Sequence, residues 1–226
     1  MPLLIDIEGI DGSGKGTQAQ RLFERLVAEG AAARIRSFPR YDATLFGQAI
    51  GEFLNGAYGT LDQVHPFLVS LLFAGDRFES RGVLLEALQS SDVVVLDRYV
   101  PSNVAHQASK LGGEQRSELA RRILKIEFEI FALPKPDLVL LLDLPVPVAQ
   151  DLIGRKAARN YTDRAHDLQE ADGTYLGRVR EMYLELARTE ANWQIINCCP
   201  ANRLKSVDEI AAEIWDAYRL ALLSDR

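Results

Sequence analysis

Hydrophobic positions along this chain fall into two kinds of pattern. Short, nearly continuous apolar runs occupy Leu3 to Glu8, Ala33 to Phe38, Val93 to Leu96, Leu138 to Leu142 and Trp193 to Ile196. Runs of that length, closed by turn residues or by Pro39, predict strands buried on both faces, as in a parallel sheet. Between them lie segments with apolar residues three and four apart. Ala19, Leu22, Phe23, Leu26 and Val27 make one helical stripe that stops at Gly30. Residues 44–55 and 62–89 carry further helical patterns. Residues 114–133 place Leu119, Ile123, Ile126 and Ile130 on one stripe, and Pro145 and Pro147 break the run after the fourth strand. Residues 169–188 align Tyr175, Leu176, Val179, Met182, Tyr183 and Leu186. Ser206-Val207-Asp208-Glu209 reads as a capping box opening a last helix, with Ile210, Ile214, Trp215, Tyr218 and Leu222 inward. Strands that alternate with helices and cross over right-handedly predict an α/β fold: a five-stranded parallel sheet flanked by helices. A chain of 226 residues suits one such domain, spanning residues 1–226.

The first strand runs into Gly9-Ile10-Asp11-Gly12-Ser13-Gly14-Lys15-Gly16-Thr17, which fits G-x-x-x-x-G-K between a strand and a helix. That is the context of a phosphate-binding loop, the P-loop of nucleotide-binding proteins. Glycines let successive backbone N–H groups turn towards phosphate oxygens, the following helix adds its positive dipole end, and Lys15 brings a mobile charge. Gly16 stands where a magnesium-binding hydroxyl is usual, and the hydroxyl comes one place later, at Thr17.

Ligands of open α/β sheets collect beyond the carboxyl ends of the strands. Phe38-Pro39-Arg40 stands past the second strand, and its arginine suits an anionic substrate or lies solvated in a loop. Asp97-Arg98-Tyr99 stands past the third. A carboxylate there suits magnesium and an arginine suits a phosphoryl group in transfer. Asp76-Arg77 interrupts the apolar sequence around Phe73; charges there either cap a helix junction or line a pocket. Arg155, Lys156, Arg159 and Arg164 crowd residues 151–167, which read as a short basic lid or as a solvated charge run.

Net charge of −6 argues against broad binding to nucleic acid or to anionic membranes, while leaving room for a local basic pocket. No apolar run approaches the roughly 20 residues of a membrane span, and Met1-Pro2 leads directly into a strand, so a cytoplasmic protein is expected. Cys198 and Cys199 are adjacent, which disfavours a mutual disulfide, and they are expected to be reduced and structural.

With the loop, Phe38-Pro39-Arg40, Asp97-Arg98-Tyr99 followed by Ser102, the Leu-Pro-Lys-Pro-Asp stretch ending at Asp137, and Tyr183-Leu184-Glu185-Leu186-Ala187 in view, the chain resembles the thymidylate kinase family over nearly its whole length. That resemblance implies a P-loop NTPase fold, transfer of the γ-phosphoryl group of ATP to thymidine monophosphate (dTMP), Mg2+ as cofactor and a homodimer. It also implies roles. Lys15, Arg98 and Arg164 would stabilise the transferring group, and residues 9–17 (Gly9, Ile10, Asp11, Gly12, Ser13, Gly14, Lys15, Gly16 and Thr17), with Arg155 and Arg159, would bind ATP. Thr17 and Asp97 would serve the metal. Asp11, Phe38, Pro39, Arg40, Phe73, Arg77, Arg98, Asn103 and His106 would bind the acceptor, with Phe73 stacking on the base and Arg77 and Asn103 bonding its edge. The resemblance thus moves Arg77 to the pocket. His106 departs from the family, which usually has Tyr or Phe near the sugar 2′ position. The alternatives are a kinase for another deoxynucleotide or deoxynucleoside, and a nucleotide-binding switch without transferase activity. The switch gives no reason for so many arginines around one crevice.

Overall fold

All six residues of β1 (Leu3–Glu8) are buried, two carboxylates among them, and a strand so enclosed needs cover on both faces. The computed structural model, which describes residues 2–59, 63–154 and 173–224, supplies it. β2 (Ala33–Ser37), β3 (Val93–Asp97), β4 (Leu138–Asp143) and β5 (Trp193–Asn197) join β1 in a sheet of order β2-β3-β1-β4-β5, every pairing parallel. The register sets Ile7 opposite Asp97, and Arg98 N donates to Ile7 O at 3.2 Å. The ends of the central strands therefore lie side by side. The segment after β1 and the segment after β3 must meet there.

Helices α1 (Lys15–Ala28), α2 (Leu45–Leu54), α3 (Pro66–Glu79), α4 (Arg81–Gln89), α5 (Val100–Ala108), α6 (Gly113–Leu124), α7 (Val146–Gly154), α8 (Gly173–Thr189) and α9 (Val207–Ser224) connect or flank the strands. One face of the sheet packs Leu3, Ile5 and Ile7 against α1, α5, α8 and α9. The other packs Leu4, Val94 and Leu96 with Phe38, Tyr99 and Leu133. The capping box forms as expected: Glu209 N donates to Ser206 Oγ at 3.1 Å, and Ser206 N to Glu209 Oε2 at 2.7 Å.

Four local expectations are corrected. The pattern over 62–89 divides at Ser80, which ends α3 and starts α4. The helix expected over 114–133 ends at Leu124 and continues as a π-helical stretch, Lys125–Ile130, where Phe131 N reaches back five residues to Ile126 O at 2.8 Å. There Ile126 is half-buried, Ile130 points outward and the buried residue is Glu127. Pro145 and Pro147 follow the end of β4 as read, but a helix and not a loop comes next: proline is compatible with a first helical turn, α7 begins among them, and residues 151–154 at the start of the basic segment are helical. In α9, Leu222 is exposed and Ala217 takes an inward place.

Candidate active site

Gly14 caps α1 in the left-handed conformation, φ 88°, and its side chain has no oxygen to offer the first turn. Gln18 N bonds Gly14 O at 3.0 Å, so the N–H groups of Lys15, Gly16 and Thr17 are the ones left by the helix geometry to meet an anion. Gly12 is required by packing as well as by its φ of 85°, since a Cβ there would stand 2.4 Å from Ala149 O in α7. The phosphate loop is thereby clamped to the helix that leads into the basic segment.

A cavity of about 330 Å³ opens beside this loop. Asp11, Gly12, Gly14, Lys15, Gly16, Asp97 and Arg98 line it, and so do Phe38, Pro39, Tyr41, Phe73, Arg77, Asn103, His106 and Gln107. Most of the residues read from the sequence are thus in one place. Gly9, Ile10, Ser13 and Thr17 serve the loop without lining the cavity. Ile10 is in the core, and Thr17 is exposed on the first turn of α1. Arg40 stands aside: its Nη1 donates to Ser80 Oγ at 3.1 Å, and its backbone N–H to Asp76 Oδ2 at 3.1 Å. Asp76 also accepts from Thr44 Oγ1 at 2.5 Å, so it ties the loop after β2 to α3 while its neighbour Arg77 faces the cavity. Of the two readings of that charged pair, lining a pocket describes Arg77, while Asp76 caps no helix junction with its side chain and instead holds the loop after β2. Arg155, Arg159 and Arg164 lie outside the described residues.

Charge in the cavity is held by pairing. Arg98, at φ 70° in a region non-glycine residues seldom occupy, forms an ion pair with Asp11 of the loop. Burial alone would lower its pKa, but Asp11, Tyr183 and Asp97 more than offset that and raise it well above the ordinary arginine value. Lys15 donates to Ile10 O at 2.8 Å; burial, then the charge of Arg98, brings its pKa down to about 7. Burial pushes His106 down to about 3, so the imidazole is neutral. Tyr175 donates its one hydroxyl proton to His106 O (3.1 Å) and stands 2.9 Å from His106 Nδ1, so Nδ1 carries the ring proton and Nε2 is an acceptor. That Nε2 is buried and has no partner among the described residues.

Three buried carboxylates were not singled out by the sequence reading. Glu127 holds Arg77 and Asn103. Glu8 accepts from the backbone of Tyr99 and Ser102 and from the hydroxyls of Ser102 and Tyr183. Asp6 has no partner among the described residues; burial, then the neighbouring charge of Glu8, raises its pKa well above the ordinary carboxylate value. The available signal was a carboxylate inside an otherwise apolar strand, which is rare without a task or a partner.

For a metal, the cavity offers Asp97, whose Oδ2 stands 3.0 Å from where a Cβ on Gly16 would lie. Among the described residues no cluster of three or more His, Cys, Asp or Glu could make an all-protein cage. One carboxylate beside a phosphate cradle is the donor set that magnesium uses when nucleotide phosphates supply the remaining oxygens, so the residues fit that ion.

A parallel sheet with a phosphate loop after its central strand, an Asp-Arg pair at the end of the adjacent strand and a cavity beside them lined by further arginine, asparagine and aromatic side chains has the parts of a P-loop phosphotransferase. The thymidylate kinase family model matches residues 7–210. Thymidylate kinase of Mycobacterium tuberculosis is 35% identical over 185 residues, covering 82% of this chain and 86% of that protein. A probable thymidylate kinase of Thermococcus gammatolerans is 33% identical over 229 residues, 99% of each chain. A solved thymidylate kinase structure from Candida albicans superposes with a TM-score of 0.74 over 97% of this chain and 92% of that one, at 24% identity, and so shares the fold. This chain belongs to the thymidylate kinase family.

Proposed function

We propose that the chain transfers the γ-phosphoryl group of ATP to dTMP, giving dTDP and ADP. The observation that carries this reading is a single cavity lined by Lys15 and Arg98 beside the N-terminus of α1 and also by Phe73, Arg77, Asn103 and His106. The first group suits phosphates. The second suits a flat base with polar edges, since Phe73 is aromatic and Asn103 and His106 have buried polar atoms without partners among the described residues.

Phosphoryl transfer asks for positioning and charge more than for covalent chemistry. Lys15 and the loop N–H groups hold the donor phosphates, and Arg98 exchanges Asp11 for the oxygens of the group in transfer. Asp97, with Thr17 as a second candidate, would hold Mg2+, which when bound supplies further neutralisation of phosphate charge. Arg40 leaves Ser80 for the acceptor phosphate. The loop from Asp11 to Lys15 has no basic side chain of its own before Lys15. Arg155, Arg159 and Arg164 follow α7, which packs on Gly12, and they complete the charge.

A homodimer is supported by the outward apolar side chains of α3, Leu68 and Phe78, each more than half exposed in the single chain. No helix among the described residues is long and apolar enough to cross a membrane. Burial pushes the Cys198 thiol up to about 12, and both cysteines are free and buried, which suits a reducing cytoplasmic setting.

The test is a panel of nucleosides and nucleoside monophosphates incubated with ATP and Mg2+ and scored for product. dTDP is expected to dominate. Product only from thymidine, or ATP binding without transfer to any acceptor, overturns the reading.

A further inference from the structure

Glu127 lies in the π-helical stretch with no exposed surface, and the hydrogen bonds around it are one-sided. Its Oε2 accepts from Arg77 Nε at 2.5 Å; its Oε1 accepts from Arg77 Nη2 at 2.8 Å and from Asn103 Nδ2 at 2.8 Å. The second Asn103 Nδ2 hydrogen goes to Ser70 O at 2.9 Å. A carboxylate and a carbonyl can only accept, so both contacts require the nitrogen of Asn103 on that side. The amide orientation is therefore fixed by its surroundings. Asn103 Oδ1 is left buried without a partner among the described residues, on a residue that lines the cavity. Arg77 is fixed in the same way, with Nη1 taking no part in the bidentate contact.

We propose that Glu127 is a positioning residue that sets base selectivity: it locks Asn103 as a hydrogen-bond acceptor and Arg77 as a donor towards the base. This rests on the dTMP reading of the cavity. A pyrimidine with a ring N–H beside a carbonyl, as in thymine or uracil, satisfies both groups. Cytosine presents a ring lone pair beside an amino group, so an acceptor would meet an acceptor and a donor a donor. A site built this way rejects the wrong pattern by leaving buried polar groups unpaired.

Glu127→Gln tests it. The glutamine amide has one acceptor oxygen and one NH₂. With the oxygen at the Oε1 place it still meets Arg77 Nη2 and Asn103 but sets its NH₂ against Arg77 Nε. With the oxygen at the Oε2 place it sets its NH₂ against Asn103, which then turns its own NH₂ towards the cavity, so either way the pattern offered to the base is disturbed. KM for dTMP is expected to rise about tenfold with KM for ATP within about twofold, and the preference for dTMP over dCMP in kcat/KM to fall roughly 30-fold or more. An unchanged preference, with both monophosphates losing equally, overturns the proposal and leaves Glu127 as a structural ion-pair partner. Wild type that does not phosphorylate dTMP would instead refute the underlying reading. Should Glu127→Gln fail to fold, the wild-type protein still decides. The Asn103 side-chain amide protons are expected to resist solvent exchange by NMR, and to shift little when dTMP binds. Exchange as fast as that of a surface asparagine shows that nothing pins the amide, and the proposal falls.

Discussion

Arg98 and Asp11, which both line the cavity, form an ion pair that joins the residue after β3 to the loop after β1. About a fifth of the Arg98 side chain is exposed, and its Nη1 also reaches Ser102 Oγ at 3.4 Å. An arginine held by a loop carboxylate is pre-aimed at the position a phosphoryl group takes. Arg98→Ala is expected to lower kcat by roughly 10²–10³-fold with the fold intact, because its charge acts on the group in transfer. Steady-state kinetics beside thermal unfolding checks this; near-normal kcat removes Arg98 from the mechanism.

Lys15 titrates near the working pH. Its pKa of about 7 in the empty site reflects burial first and Arg98 second, and bound phosphates reverse the balance by adding negative charge. At pH 8 the empty site holds a mostly neutral Lys15, so nucleotide binding should take up close to one proton, and ATP affinity should weaken as pH rises above about 7. The same shift makes the empty fold more stable as pH rises from about 7 towards 10.5, where only the unfolded lysine still binds the proton. Calorimetry at pH 8 in two buffers of different ionisation enthalpy measures the uptake. Equal heats in both buffers would exclude it.

The sheet and the phosphate-binding loop were legible in the sequence because each has a local signature. Strands such as Val93–Asp97 are continuous apolar runs, and Gly9 to Lys15 is a spacing with one physical reading. What the sequence did not reveal depends on contacts between distant residues. Glu127 bonds Arg77 fifty positions away, and the π-helical turn that brings it inward has no signature in the sequence. Asp6 and Glu8 sit in a strand whose apolar pattern masked them. The helix that opens at Pro147 was not legible because a first-turn proline and a loop proline look alike in sequence.

Asp6 makes stability depend on pH with an unusual sign. Burial, then the charge of Glu8, raises its pKa, so the folded chain keeps a proton that the unfolded chain releases above 3.8. Stability from this group therefore falls as pH rises from about 4, by roughly 1.4 kcal/mol per pH unit until the folded acid ionises. Asp6→Asn removes the linkage. The difference in unfolding free energy between variant and wild type should grow in the variant's favour as pH rises over the range just above 4. A constant difference across that range would mean that Asp6 is ionised in the fold.

Glu8 separates hydrogen bonding from charge. Its Oε1 accepts the backbone N–H groups of Tyr99 (2.9 Å) and Ser102 (3.0 Å) at the start of α5, and its Oε2 accepts the hydroxyls of Ser102 (2.6 Å) and Tyr183 (2.8 Å). One side chain thus fixes α5 and α8 to the end of β1, and through Ser102 it fixes the surroundings of Arg98. Glu8→Ala removes the acceptor of four buried donors; one hydroxyl can turn to the other, which leaves three stranded at about 1–3 kcal/mol each, so a loss of about 3 kcal/mol or more is expected, with activity lost as the Arg98 segment shifts. Glu8→Gln behaves differently. Its oxygen can keep both backbone donors, and its NH₂ can donate to the two hydroxyls, which accept as readily as they donate and stand 2.9 Å apart. That variant should retain stability within about 2 kcal/mol of wild type and keep most of its kcat. Denaturant unfolding and kcat of the two variants decide. If Gln is as damaging as Ala, the negative charge of Glu8, favourable at the positive end of α5, is what the site requires.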